Sequence, residues 1–134
     1  MSAENVAIIK SVYEAFASGN VAGVLGVMSP EIVWHEAENF PYADCNPYRG
    51  PEAVAAGVFA RCIGEWKGFA VRMVDLIDGG DRVIALGRYN GEYKATGRRM
   101  NPQAVHVWTL KDGKAVAFQQ YIDTLDVARA TGAA

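Results

Sequence analysis

The stretch RVIALGRYNGEYKATGRRMNPQAVHVWTLKDGKAVAFQQYID, residues 82–123, decides how this chain folds. Apolar and polar residues alternate along it, which is the period of a strand with one covered face. Three long strands are predicted, over 82–95, 103–111 and 115–123, with Asp112-Gly113 as a two-residue hairpin turn between the last two. The first strand splits into Ile84, Leu86, Arg88, Asn90 and Glu92 against Val83, Ala85, Gly87, Tyr89, Gly91 and Tyr93. Gly87 and Gly91 allow bends or bulges there. In the second, His106, Trp108 and Leu110 oppose Val105, Val107 and Thr109; in the third, Phe118, Gln120 and Ile122 oppose Gln119, Tyr121 and Asp123. Strands this long in a chain of 134 residues must curve around something, and the polar residues among the apolar ones point to a pocket.

Upstream, Val6, Ile9, Val12, Tyr13 and Phe16 recur at helical spacing and predict a helix over about 3–18, stopped by Gly19. Asn20 caps a short second helix with Val21, Val24, Leu25 and Met28 inward, and Pro30 closes it. Residues 31–37, EIVWHEA, alternate as a strand that puts Ile32, Trp34 and Glu36 on one face and Val33 and His35 on the other. Residues 38–48 carry loop chemistry, Pro41, Asp44, Asn46 and Pro47, with Phe40, Tyr42 and Tyr48 as apolar anchors, and such a loop can lie over a cavity mouth. Gly50-Pro51-Glu52 starts a third helix, because proline at the first helical position loses no hydrogen bond and glutamate suits the positive end of the dipole. A strand over 69–77 and the turn Asp78 to Asp81 follow, and a last turn of helix covers 124–130. Helices gathered early and an antiparallel meander afterwards define an α+β domain, a single one over 1–134, with the helices packed on the concave face of a strongly curved sheet.

Composition sets the limits. Hydrophobic residues are 51% and charged residues 21% of the chain, the balance of a globular protein. A net charge of −2, with Arg98-Arg99 as the one basic cluster, gives no reason to expect a nucleic-acid partner. No run approaches the ~20 apolar residues of a membrane span, and Glu4 stands where a signal peptide would be positive, so a cytoplasmic protein without membrane contact is expected. Cys45 and Cys62 lack metal-ligand spacing and read as reduced thiols; two histidines without a carboxylate or thiol cluster argue against a metal site.

Among the residues that could carry chemistry, Glu36 shares its face with Ile32 and Trp34, and desolvation there raises a carboxyl pKa toward a useful acid or base. His106 could move protons at neutral pH. Arg88, on the face of Leu86 and Asn90, would be a buried cation needing Glu36 or a substrate anion as partner. Asn90 and Gln120 could orient a polar ligand, and Trp34, Trp108 and Phe118 could wall an aromatic-lined pocket. Each also has a plain alternative: a satisfied core histidine, paired amides, packed aromatics.

The helical hairpin GNVAGVLGVM, the strand VWHEA, the helix start YRGPEAV and the ending DGKAVAFQQYIDT together resemble the SnoaL-like, ketosteroid-isomerase-related branch of the nuclear transport factor 2-like superfamily, from about Val6 to Ala128. The resemblance implies a cone-shaped fold that hosts isomerases, cyclases, epoxide hydrolases, dehydratases and binding modules. It places Glu36 where ketosteroid isomerase keeps its carboxylate base. The tyrosine and protonated acid of that enzyme fall at Val12 and Val105, so its chemistry carries over only if His106 or Tyr13 substitutes. The arginine and two aspartates of limonene-type epoxide hydrolases fall near Arg88, Asn90 and Gln120, and an amide cannot replace a carboxylate base. The cyclase acid also falls at Gln120, while a cyclase pocket histidine matches His106.

The expectation is therefore an isomerase-, cyclase- or lyase-type enzyme working without a cofactor on a hydrophobic, oxygen-bearing small molecule. Glu36, His106 and Arg88 would be catalytic, with Trp34, Asn90, Trp108, Phe118 and Gln120 binding substrate. The alternatives are a ligand-binding protein or an association module on the same scaffold. A homodimer through the outer sheet face, with Tyr89, Tyr93 and valines buried there, suits all three.

Overall fold

The computed structural model describes residues 2–134. Helix α1, Ser2–Ala17, buries Ile9 and Val12 and carries Glu4 in its first turn, where an acid suits the helix dipole. The chain reverses at Gly19, φ +79°, a left-handed conformation that glycine adopts without strain. The Asn20 side chain then accepts a hydrogen bond from the Gly23 N–H at 2.9 Å and caps α2, Val21–Leu25. A third helix runs over 51–65. Its ends, Pro51–Val54 and Ala60–Glu65, are α, and its middle, Ala55–Phe59, is wound as π. The wider π turn gives the wall of the cone two consecutive buried residues, Val58 and Phe59.

The strands are β1 (Met28–His35), β2 (Tyr48–Arg49), β3 (Trp66–Gly79), β4 (Arg82–Tyr93), β5 (Arg99–Met100), β6 (Gln103–Lys111) and β7 (Lys114–Ile122). All seven form one sheet in the order β2-β1-β7-β6-β4-β3, with β5 paired to β4. The sheet is antiparallel except that β1 lies parallel to β7, Trp34 opposite Phe118. The turn at Asp112-Gly113 reverses the chain between β6 and β7 as its residue pair requires, both residues having positive φ. A register shift in β3 between Met73 and Asp75, opposite Gly87 and Leu86, bends the sheet where Gly87 permits it. The helix Thr124–Thr131 closes the fold, Asp123 accepting from the Asp126 N–H at its start and Gly132 ending it at φ +86°.

The stretch 38–48 is tied down. It contains a 3-10 turn, Pro41–Cys45, and its anchors Phe40, Tyr42 and Tyr48 are buried. Arg61 of the third helix grips Asp44 with both guanidinium nitrogens at 2.9 Å and lies 4.4 Å from the centre of the Tyr42 ring. The Tyr42 hydroxyl donates to Glu65 Oε1 at 2.7 Å.

The inner face of the sheet differs from expectation at β4. Cross-strand partners share a face, and His106 pairs with Ala85 on one side and Gln120 on the other. Val83, Ala85 and Tyr89 therefore point inward and are buried, while Ile84, Leu86, Arg88 and Asn90 point outward. The expected outer placement of Tyr89 and Tyr93 is thus corrected: Tyr89 is 4% exposed inside the cone, and Tyr93 packs 4.8 Å from the Trp66 ring. No helix among the described residues is long and apolar enough to cross a membrane.

Candidate functional site

The cone encloses a cavity of about 50 Å³ lined by α1, the third helix and the inward residues of β1, β3, β4, β6 and β7. One water needs ~10–15 Å³ measured this way, whereas a drug-sized ligand needs ~300–1,000 Å³. Aromatic side chains thus nearly fill the cone. Trp34 stacks on Phe118 at 3.6 Å and meets Trp108 and Phe59 edge-on. Phe16 and Phe69, both half-buried, meet edge-on with their ring centroids 6.2 Å apart.

Glu36 sits just past the end of β1, on the same side as Ile32 and Trp34, and is 3% exposed. Its position is held from both sides of the backbone. The Asn46 amide oxygen accepts from the Glu36 N–H at 2.9 Å, and the Asn46 amide nitrogen donates to the Glu36 carbonyl at 2.8 Å. Next to it, the Ala37 N–H donates to Gln120 Oε1 at 3.0 Å. Among the described residues the carboxyl itself has one hydrogen-bond partner, the Trp34 indole N–H, 3.1 Å from Oε2. Burial pushes the Glu36 carboxyl up to about 8, and the Trp34 hydrogen bond and the positive charge of Arg61 only partly oppose it. At neutral pH it is therefore mostly protonated, with a carboxylate fraction that grows toward pH 8.

His106, 5% exposed, lines the same cavity with a phenol on each ring nitrogen. The Tyr13 hydroxyl lies 2.7 Å from Nδ1 and the Tyr89 hydroxyl 2.5 Å from Nε2. Burial lowers the imidazole to about 3, so it is neutral at physiological pH. Burial likewise raises the Tyr13 and Tyr89 hydroxyls, so both phenols stay protonated. The Trp108 indole donates to the Tyr13 oxygen at 2.9 Å, and Gln120 Nε2 donates to the Tyr89 oxygen at 2.9 Å. Cys62 also lines the cavity, and burial keeps its thiol protonated.

Of the residues expected in the site, Glu36, His106, Trp34, Trp108, Phe118 and Gln120 all line this cavity. Gln120 is committed to the protein on both amide atoms rather than free for a ligand. Arg88 and Asn90 are corrected: both lie on the outer face of the sheet. Arg88 opposes Arg72 there, and its guanidinium donates to the Asn101 carbonyl at 2.9 Å, so it neither meets Glu36 nor faces the cavity. Tyr13, Tyr89 and Asn46 are the site residues that strand and helix patterning does not single out. Tyr13 lies in the apolar stripe of α1, and nothing local distinguishes a core tyrosine from one bonded to a histidine 93 residues away. Among the described residues no group of three or more His, Cys, Asp or Glu could hold a metal ion.

The fold is that of a known family. The SnoaL-like domain matches residues 9–118, and the chain belongs to this SnoaL-like family. An NTF2-like protein of Burkholderia thailandensis is 35% identical and superposes with a TM-score of 0.90 over 95% of this chain and 96% of its own. TerC, crystallised with polyporic acid, is 24% identical, with a TM-score of 0.85 over 96% and 98% of the two chains. A protein of Catenulispora acidiphila with a ketosteroid isomerase-like fold, crystallised with trimethylamine, is 13% identical, with a TM-score of 0.76 over 93% and 92%. No curated protein matches the chain.

Proposed function

We propose that this protein is a cofactor-independent enzyme that moves a proton on a hydrophobic, oxygen-bearing small molecule, in an isomerase, cyclase or lyase reaction. The observation that carries the reading is Glu36, a buried carboxyl whose pKa of about 8 lets it give or take a proton near neutral pH, opening on a cavity it shares with His106. A group poised there needs no further activation. The aromatic lining selects a flat, apolar substrate body, and the hydroxyls bound to His106 meet its oxygen. TerC, which has the same fold, was co-crystallised with polyporic acid.

The test is exchange of carbon-bound hydrogen for deuterium on a panel of hydrophobic ketones and polyphenols in heavy water. The wild-type protein is expected to accelerate exchange on some members, and Glu36→Gln to lose ~10²–10⁴-fold of it, the usual contribution of a positioned acid or base. Equal exchange by both proteins removes the assigned role of Glu36.

A second reading, a module that holds a ligand without transforming it, is favoured by one observation: every buried polar side-chain atom among the described residues has a hydrogen-bond partner. Slow or absent exchange, with a ligand retained in a native mass measurement, selects it.

Under either reading we infer a homodimer through the outer sheet face. Leu86 opposite Val105, Val105 opposite Tyr121, and Ile84 opposite Val107 make two apolar rows there, and Tyr121 is 57% exposed. Light scattering is expected to give twice the chain mass, and Val105→Asp to halve it; a wild-type monomer at micromolar concentration contradicts the dimer.

A further inference from the structure

The hydrogen bonds around His106 do not add up to a closed network, and the remainder has a chemical use. Two of its members can only donate. The Trp108 Nε1–H, 2.9 Å from the Tyr13 oxygen, has no acceptor lone pair. Gln120 is fixed in orientation because the Ala37 N–H must meet its oxygen, which leaves its NH2 group facing the Tyr89 oxygen at 2.9 Å. Both phenol oxygens are therefore acceptors at their outer ends. Between them lie two hydrogen bonds, Tyr13 to Nδ1 and Nε2 to Tyr89, and three protons: one on each phenol and one on the neutral imidazole. Two bonds use two protons. The third is left on one of the tyrosines, and among the described residues neither hydroxyl has a further acceptor.

We propose that His106, through its tautomer, sets which of Tyr13 and Tyr89 offers that spare hydroxyl proton to an oxygen acceptor in the cavity, so that the site has two alternative donor positions for one ligand oxygen. With the ring proton on Nδ1, Tyr89 donates to Nε2, Nδ1 donates to Tyr13, and the Tyr13 hydroxyl is free. With the ring proton on Nε2, Tyr13 donates to Nδ1, Nε2 donates to Tyr89, and the Tyr89 hydroxyl is free. Both tyrosines line the cavity. The ligand class that fits is a carbonyl or anionic oxygen, which accepts the spare hydroxyl proton.

Passing from the first state to the second balances without change of charge. Tyr13 gives its free proton to the ligand and takes the Nδ1 proton. Nε2 takes the Tyr89 proton, and Tyr89 takes one from the ligand. The trio can therefore hand a proton to one end of a substrate while removing one from the other. His106 is a positioning residue in this scheme, and the tyrosines are the groups that touch the ligand.

For its ligand the inference rests on the proton-transfer reading, but the tautomers do not. The test is nitrogen-15 NMR of histidine-labelled protein, with His35→Asn used to assign the second imidazole. Removing one phenol removes one proton and one hydrogen bond, so the proton left over is then the ring's own. The remaining tyrosine then donates to the nitrogen beside it, and the ring proton moves to the other. Tyr13→Phe is expected to hold His106 with its proton on Nδ1, Tyr89→Phe with its proton on Nε2, and the wild type to stay neutral from pH 5 to 8. The same tautomer in both variants, or a doubly protonated ring in the wild type at pH 6, overturns the proposal; the wild-type spectrum and Tyr13→Phe alone keep it open to refutation if Tyr89→Phe does not fold. Glu36→Gln with unchanged exchange would remove the proton-transfer reading and leave the opposite tautomers standing.

Discussion

Glu36→Gln is expected to be more stable than the wild-type protein at pH 8 and to lose that advantage at pH 4.5. The carboxyl is raised from 4.5 to about 8 by burial, so the folded state holds a proton that the unfolded chain releases above pH 4.5. The sign follows directly. Below pH 4.5 both states carry the proton and the group leaves stability unchanged. Between pH 4.5 and 8 the unfolded state gains by ionising, and stability falls; above 8 the loss is complete. A shift of this size corresponds to about 5 kcal/mol, a large part of the stability of a domain this size. The glutamine amide cannot ionise, so the substitution removes the slope. Urea unfolding at the two pH values checks it, with the difference between the proteins growing by several kcal/mol from pH 4.5 to 8. Parallel pH profiles would mean that Glu36 is solvated or paired in the folded state. A carboxyl that weakens the fold at working pH is what a functional group looks like when stability is not what retains it.

Gly87→Ala is expected to lose about 3 kcal/mol, and about 10 °C or more in Tm. A Cβ on Gly87 would stand 2.0 Å from the Arg72 carbonyl oxygen and 2.7 Å from the Met73 Cα, which are backbone atoms that cannot swing aside. Relief requires opening β3 from β4 at the register shift beside Met73, where the sheet acquires its bend. Gly64→Ala is the matched control: an added Cβ meets nothing within 4 Å in the third helix, so alanine there is neutral or stabilises by up to ~1 kcal/mol. A loss under ~0.5 kcal/mol at Gly87 contradicts the close approach of the two strands. Bending matters to the site because β4 carries Tyr89 and β3 carries Phe69 and Val71 into the same cavity.

These two residues also mark how far the sequence could be read. Gly87 was legible as a bend, because an unbranched position in a long apolar strand has few other uses. Glu36 was legible because the chain alternates from Ile32 onward, and Ile32 and Trp34 fix its face. Arg88 was not. Both faces of β4 carry apolar residues, Ile84 and Leu86 on one side and Val83 and Ala85 on the other, and alternation separates the faces without saying which is inside. The pairing of Ala85 with His106 decides it, and that register is a property of two strands together. The same holds for the parallel pairing of β1 with β7, which brings Trp34 onto Phe118. The Asn46 clasp on the Glu36 backbone and the Tyr13–His106–Tyr89 chain are contacts between distant segments, and residue spacing carries no trace of them. Local chemistry thus indicated the scaffold and the acid, and long-range geometry supplied the donors that share its cavity.

The proton-transfer reading depends on Glu36 holding its proton up to the edge of neutrality, inside a cavity shared with two tyrosines and a neutral histidine. Carbon-13 NMR of the glutamate side-chain carboxyls, with Glu36→Gln used to assign the signal, measures it directly. A titration midpoint near pH 8 is predicted. A midpoint below about 5, the range of a solvated glutamate, would contradict it.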